Sequence, residues 1–349
     1  MEYFDDRRRA ESFGEVASDY DAYRPQYPAE LIAAIMQAAT AVAESRTQAS
    51  SNTATGSGTV AGTDACPEAR VVTGTGPDAS VPRILDVGSG TGILASQLRE
   101  AGAKILAVEP DAEMAAVARA KGLEVEVSSF EGWDRRGRTF DLVSFGQSFH
   151  WVDPMIALPR IRTLLAPGGS LALAWNDIEA RGELRTRLAA VAAKYHAEGS
   201  TASLGTAAED RFASVEHPAL TQLRATGFSA HESTFVEELR YSRDDWLSMV
   251  FTYSAQLTMD PVKRAIMRED MVFRDPCRWP RRRQLSPAHP RRALSIPHRR
   301  AHTADPTHRL CSSRPRPSAN AQPGCQPSRG HSDRWGGAEP TVLCHPASR

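Results

Sequence analysis

The chain is poor in the features that most often settle a protein's class. Only 5 of its 349 residues are Cys. The number is odd and no two fall in a CxxC pair, so neither a disulfide framework nor a Cys-based zinc site is expected. His196, His217 and His231 show no metal-ligand spacing and read as surface histidines. No apolar run approaches the roughly 18–20 residues of a membrane span. Met1-Glu2-Tyr3-Phe4-Asp5-Asp6 has no apolar core of the signal-peptide kind. These absences predict a cytoplasmic protein with no membrane partner. Neither sign of charge is in excess, with 42 Lys+Arg against 42 Asp+Glu. That balance averages two unlike pieces. Residues 274–349 hold 15 Arg, no Lys and 4 acids, whereas the first 273 residues carry 27 bases and 38 acids.

Length suggests about two domains. Leu31, Ile32, Ile35, Met36, Ala39 and Val42 fall on one face at helical spacing and predict a helix over 30–43. The pattern then stops. Of the 36 residues from Ser45 to Ser80, 23 are Ser, Thr, Gly or Ala. Such a segment buries too little apolar surface to offset its ordering entropy, so 45–82 is expected to be a disordered insertion.

From Arg83 to Trp175 short apolar runs alternate with helical patterns. The runs are 83–87, 104–108, 124–127, 140–144 and 170–175, with helices near 91–101, 111–121 and 153–165. Strand–helix alternation implies a parallel sheet covered by helices on both faces. Further helices are expected over 180–197 and 261–271, and an extended stretch from Gly227 to Tyr241. Between them Asp244 is expected to cap a helix carrying Trp246, Val250, Tyr253 and Leu257.

The chemistry centres on Ile84-Leu85-Asp86-Val87-Gly88-Ser89-Gly90-Thr91-Gly92. A buried strand runs into a Gly-rich turn that opens a helix. Glycines there permit positive φ and a close approach of ligand to backbone. The free N–H groups at the helix start favour anionic or polar ligand groups. Dinucleotide enzymes use G-x-G-x-x-G, but here the third Gly comes one residue early. Asp86 before the turn would repel a pyrophosphate and could pair with an ammonium. Glu109 ends the second strand, 21 residues after Gly88. A carboxylate there can accept both hydroxyls of a ribose, or can simply be a helix-start acid.

With these residues in hand, the chain resembles the class I S-adenosylmethionine-dependent methyltransferases. It is similar to the small-molecule branch of trans-aconitate and quinone-biosynthesis methyltransferases. Four blocks carry the resemblance, over about 11–44 and 83–273. They are Phe13-Gly14 to Tyr20-Asp21 and Arg24-Pro25-Gln26-Tyr27-Pro28; Asp86 to Gly92; Gly146-Gln147-Ser148-Phe149-His150-Trp151; and Leu164-Leu165-Ala166-Pro167-Gly168-Gly169. The implied fold is α/β and Rossmann-like, a mostly parallel central sheet with helices on both faces. The expected organisation is an N-terminal cap and first helix (1–44), the disordered insertion (45–82), a cofactor-binding core (83–176), a substrate lid with the remaining sheet (177–273) and a disordered Arg- and Pro-rich tail (274–349).

The resemblance also implies roles. Asp86, Gly88, Ser89, Gly90 and Gly92 would border the methionine part of S-adenosylmethionine. Glu109 would hold the ribose, Pro110 and Met114 would lie near the adenosine, and Phe130 and Glu131 would contact adenine. A solvated loop acid is the plainer reading of Glu131. Gln147, His150 and Trp151 would stand beside the transferable methyl, with His150 as a general base. Alternatively Phe149 and Trp151 are core and His150 fixes a loop. Tyr20, Tyr23 and Arg24 would contact substrate or cofactor, or would pack on a surface helix. The acceptor would be a small molecule; carboxylate O-methylation is the family analogy. An NAD-dependent oxidoreductase and a catalytically inactive relative are the alternatives.

Nothing after Phe273 resembles the family's final strand, so the last strand is expected to be missing. Arginine without lysine, among Pro, Ser, His and Ala, is what a frameshift in GC-rich coding sequence leaves. The rival reading, nucleic-acid binding by a basic tail, has little support from the tail's two aromatics, Trp279 and Trp335.

Overall fold

The computed structural model describes residues 12–54, 80–176, 178, 180, 182–195, 218–272, 288–297 and 342–346. A 3-10 turn, Gly14–Val16, leads into α1 (Ala17–Tyr23) and the long α2 (Ala29–Ala54). Strands and helices then alternate: β1 (Arg83–Val87), α3 (Ile93–Glu100), β2 (Lys104–Glu109), α4 (Ala112–Ala120), β3 (Glu124–Val127) and β4 (Phe140–Gly146). A second 3-10 turn, Phe149–Trp151, precedes α5 (Pro154–Leu164) and β5 (Leu165–Asn176). Then come α6 (Gly182–Tyr195), α7 (Pro218–Ala225), β6 (Phe228–Glu238), α8 (Arg243–Val250), α9 (Ser254–Leu257) and α10 (Pro261–Met271). Two strands close the order, β7 (Ala288–Pro297) and β8 (Val342–Pro346). No helix among the described residues is long and apolar enough to cross a membrane.

The sheet order is β3-β2-β1-β4-β5-β7-β6-β8. The five strands from β3 to β5 are parallel. Alternate side chains of these strands enter two different cores. Ile84, Leu142 and Ala172 pack with Leu31 and Ile35 of α2 and Leu94 of α3. Leu85, Val143 and Leu171 pack on the other face with Leu158 and Ile161 of α5 and Leu223 of α7. Both faces being covered, the strands read as near-continuous apolar runs. A third cluster joins α6, α8 and α10 through Leu188, Trp246 and Met267.

The expected end of the first helix needs correction: α2 continues to Ala54, into the stretch assigned to the insertion. Ser45 and Thr47 return their hydroxyls to the carbonyls of Ala41 and Ala43 at 2.9 Å each. Arg46 donates from Nε and Nη2 to the Asp141 carboxylate at 3.0 and 3.1 Å. Asp141 is fully buried and also accepts the Arg83 N–H at 2.8 Å. A tertiary ion pair thus holds a segment whose composition alone disfavours helix. Residues 55–79 lie outside the described residues.

The missing last strand is also corrected. β7 lies between β5 and β6 and is antiparallel to both. Strand edges left bare expose unpaired backbone groups, and almost any Pro-free stretch can pair with them. Between Pro290 and Pro297 six backbone donors run without interruption. A second tail strand, β8, pairs with β6; the other tail residues lie outside the described residues.

Smaller differences have local causes. β5 begins at Leu165, and its register against β4 shifts between Phe140↔Leu165 and Leu142↔Ser170 to absorb Pro167-Gly168-Gly169. The cap of α8 is Ser242, whose Oγ accepts the Asp245 N–H at 3.1 Å, not Asp244. The helix expected through Leu257 breaks into α8 and α9 around Thr252. The Thr252 hydroxyl donates to Met249 O at 2.6 Å and accepts Arg24 Nε at 2.9 Å.

Asp141→Ala would strand the Arg83 N–H and the Arg46 guanidinium together. It is expected to cost about 3 kcal/mol. Arg46→Ala, at a side chain 26% exposed, should cost clearly less. Urea midpoints in the reverse order would overturn this account.

Candidate active site

The site is assembled at the carboxyl ends of β1, β2 and β4. After Val87 the chain turns through Gly88, Gly90 and Gly92, with φ of +61°, +57° and +79°. Val108 O accepts the N–H groups of Gly88 and Ser89 at 2.8 and 3.3 Å. Glu109 Oε2 accepts the Gly90 N–H at 2.7 Å, and its Oε1 accepts the Asp111 N–H at 3.0 Å. The turn is therefore fastened to the end of the neighbouring strand. The three glycines have different duties. A Cβ on Gly88 would stand 2.6 Å from Ser148 Cβ, and one on Gly92 would stand 2.3 Å from Leu123 Cδ1. Gly90 instead faces open space apart from Met114 Cε at 3.3 Å.

Two adjoining cavities meet at this turn. The larger is a cleft of about 920 Å³, counted to its solvent mouth. The turn forms its floor, Glu109, Pro110, Asp111 and Met114 one wall, and Ser128 to Glu131 its far end. Phe145 to Ser148, Trp151, Val152, Phe13 and Tyr20 complete the lining. The smaller, of about 420 Å³, is lined by Arg24, Pro25, Tyr27, Asp86, Ile93, Leu94 and Asn176. Tyr20, Ser89, Gly146 and Gln147 line both.

Of the residues singled out in the sequence, Tyr20, Gly88, Ser89, Gly90, Glu109, Pro110, Met114, Phe130, Glu131, Gln147 and Trp151 line the larger cavity, and Arg24 and Asp86 the smaller. Three line neither cavity. Gly92 packs α3 against Leu123 and Ala118. Tyr23 packs against the third core cluster. His150 sits mid-way in a 3-10 turn, where successive side chains diverge by about 120°. Phe149 enters the core, Trp151 enters the cavity, and His150 lines neither cavity, its ring 4.6 Å from that of Trp151. Ile93 and Leu94 of α3 carry no signal in the sequence as lining residues; the crossing of the N-terminal segment over α3 brings them in beside Tyr27. Gln97 holds that crossing, accepting the Tyr27 N–H at 2.9 Å and donating to Tyr27 O at 2.8 Å.

Electrostatics set the turn apart. Asp86 is 1% exposed and accepts the Ser144 hydroxyl at 2.7 Å. Burial pushes its carboxyl up to about 7, against the Ser144 hydrogen bond and helped by the Glu109 charge. Burial likewise pushes Glu109 up to about 7, against the two backbone N–H groups it accepts. Arg24 is already engaged. It donates to Thr252 Oγ1 and O at 2.9 and 3.1 Å, and its guanidinium lies over the rings of Tyr20 and Tyr253 at 4.7 and 3.9 Å. Gln147 holds φ at +61°, a left-handed conformation costly for a residue with a Cβ. Its N–H donates to Ala174 O and its Nε2 to Asn176 O, both at 2.8 Å. Two buried oxygens of the lining, Ser89 Oγ and Asn176 Oδ1, have no hydrogen-bond partner. Buried oxygens without partners call for polar ligand groups to meet them.

A family model described as a methyltransferase domain matches residues 23–203, which include the turn, Glu109 and the β4 loop. The chain belongs to the methyltransferase domain family. An uncharacterized methyltransferase of Mycobacterium tuberculosis is 38% identical over 105 residues, 30% of this chain and 43% of that protein. One of Schizosaccharomyces pombe is 38% identical over 100 residues, 27% of this chain and 38% of that protein. The chain thus spans less than half the length of these curated relatives. Among solved structures, a putative type II methyltransferase of Anaeromyxobacter dehalogenans has a TM-score of 0.42 at 18% identity, covering 61% of this chain and 88% of that one. The YcgJ protein of Bacillus subtilis has 0.37 at 14%, covering 63% and 93%. Membership rests on the sequence match.

For this methyltransferase-family chain the buried acids predict a pH dependence. Asp86 and Glu109 both have folded values above their ordinary ones, so the folded state binds more protons between about pH 4 and 7. Stability without ligand should fall as pH rises through that window and level off above it. Asp86→Asn should flatten the fall; an unchanged profile of urea midpoint against pH would count against these assignments. Gly92→Ala should cost about 2 kcal/mol through both the left-handed φ and the Leu123 contact. Gly102→Ala, at φ +102° with nothing within 4 Å, isolates the backbone part and should cost less in the same denaturation assay.

Proposed function

We propose that the chain binds S-adenosylmethionine and transfers its methyl group to a small-molecule acceptor. The observation that carries this reading is the pair of buried carboxyls, Asp86 and Glu109, on either side of one glycine turn. A dinucleotide pyrophosphate would meet Asp86 unfavourably, whereas an amino acid's ammonium would pair with it. The lining fits the cofactor group by group. Glu109 has lone pairs left for ribose hydroxyls after accepting two N–H groups. Asp86, Asn176 Oδ1 and Ser89 Oγ offer acceptors for an ammonium. The N–H groups opening α3 suit a carboxylate. Phe130 and Glu131 close the far end, where an adenine would lie.

S-adenosylmethionine, when bound, supplies an electrophilic methyl on a sulfonium. The chain's own part is to orient and to exclude water. Phe13, Tyr20 and Trp151 line the larger cavity, Tyr20 lining the smaller as well, and their rings meet edge to face at 5.8 Å (Phe13–Tyr20) and 6.2 Å (Phe13–Trp151). Gln147, pinned to Asn176, lines both cavities. Holding the reactants in line can supply most of the rate of a displacement that needs no covalent help from the protein. With His150 outside the lining, no histidine general base is part of this reading.

The full chain should bind S-adenosylhomocysteine in calorimetric titration and should not bind NADH. Glu109→Ala should weaken that binding roughly tenfold or more, two lost charge-assisted hydrogen bonds being worth at least that. A folded variant with unchanged affinity would remove the ribose assignment. Binding of NADH alone would replace the methyltransferase reading with the oxidoreductase one.

A further inference from the structure

The family analogy points to a carboxylate acceptor, but the charges around the cavities do not suit one. The lining residues carry four carboxyls, Asp86, Glu109, Asp111 and Glu131. Among the described residues, Arg24 is the sole cationic side chain lining either cavity. Its guanidinium is spent on both oxygens of Thr252 and stacked between Tyr20 and Tyr253. Its remaining capacity faces the smaller cavity, where the cofactor's own carboxylate would compete for it. A second carboxylate entering as acceptor would leave water beside Asp111 and Glu131 and gain no cation. That desolvation is uncompensated.

The same walls favour the opposite charge. Phe13 and Trp151 bring two rings to the larger cavity, and ring faces attract ammonium groups once water is excluded. The partly exposed acids of the larger cavity, Asp111 and Glu131, raise the local concentration of cations. Resting on the cofactor reading above, we propose that the acceptor is an amine, drawn in as its cation against Phe13 and Trp151. Atoms and charge balance in the transfer. The ammonium loses a proton to water at the cavity mouth, which frees the nitrogen lone pair. That pair forms the N–C bond as the C–S bond breaks and its electrons stay on sulfur. The positive charge moves from sulfur to nitrogen and is discharged by loss of a second proton to water.

The test uses the full chain saturated with S-adenosylhomocysteine and two probes with the same ring and matched length, 2-phenylethylamine and 3-phenylpropanoate. Calorimetry should show the amine binding roughly tenfold more tightly, and Phe13→Leu should lower the amine's affinity several-fold while leaving the carboxylate's unchanged. Equal affinities, a preference for the carboxylate, or no binding of either probe would overturn the acceptor class while leaving the cofactor reading intact. Failure of the chain to bind S-adenosylhomocysteine in the first place would overturn the cofactor reading, and this proposal with it.

Discussion

The hydrogen bond from the Gly90 N–H to Glu109 is the contact on which the site depends. It ties a turn built on left-handed glycines to the end of the adjacent parallel strand, with 2.7 Å between the atoms. Beside it, the Val108 carbonyl is the other acceptor on β2 for the turn's N–H groups. The sheet makes this contact possible. β1 and β2 run in register from Arg83↔Lys104 to Val87↔Val108, so the residue after Val108 arrives beside the residues after Val87. Parallel strands with buried faces deliver their carboxyl ends to one rim, and that rim is where open α/β sheets bind ligands.

Putting two carboxyls under that rim is costly in the unliganded protein. Desolvation disfavours their charged forms, and neighbouring charge adds to it, Glu109 acting on Asp86 and Asp111 on Glu109. Such a site is poised to gain from a ligand that brings its own positive charge and hydrogen-bond donors. The orphaned oxygens of Ser89 and Asn176 point the same way. One acidic, aromatic, nearly cation-free lining therefore underlies both the cofactor assignment and the acceptor class.

The N-terminal segment shows how distant pieces complete the site. Arg24 reaches 228 residues along the chain to Thr252, and Gln97 clasps the backbone of Tyr27. These contacts carry Phe13 and Tyr20 over the cleft and break the helix after Val250. The long helix α2 is held in turn by Arg46 on buried Asp141. The wall above the cleft thus rests on polar pairings between segments far apart in sequence.

The alternating sheet and the glycine turn were legible from the residues, because periodicity and φ preference are local properties. So were Asp86 and Glu109, because each sits at the carboxyl end of an apolar run that marks a strand. The residues alone did not show which side of a 3-10 turn His150 would take. Nor did they show that Gly92 serves packing and Gly90 the cavity. The helical course of Ser45 to Ala54 and the strand from Ala288 to Pro297 were equally hidden. Those outcomes depend on distant partners: a buried carboxylate for Arg46, two bare strand edges for β7, Leu123 for Gly92. Residue order was enough to specify the strand, the turn, the helix and the two acids between them, since each is written in a few neighbouring positions. Long-range packing selected the side chains that meet across the cavities, because burial and backbone pairing are settled only when remote segments come together.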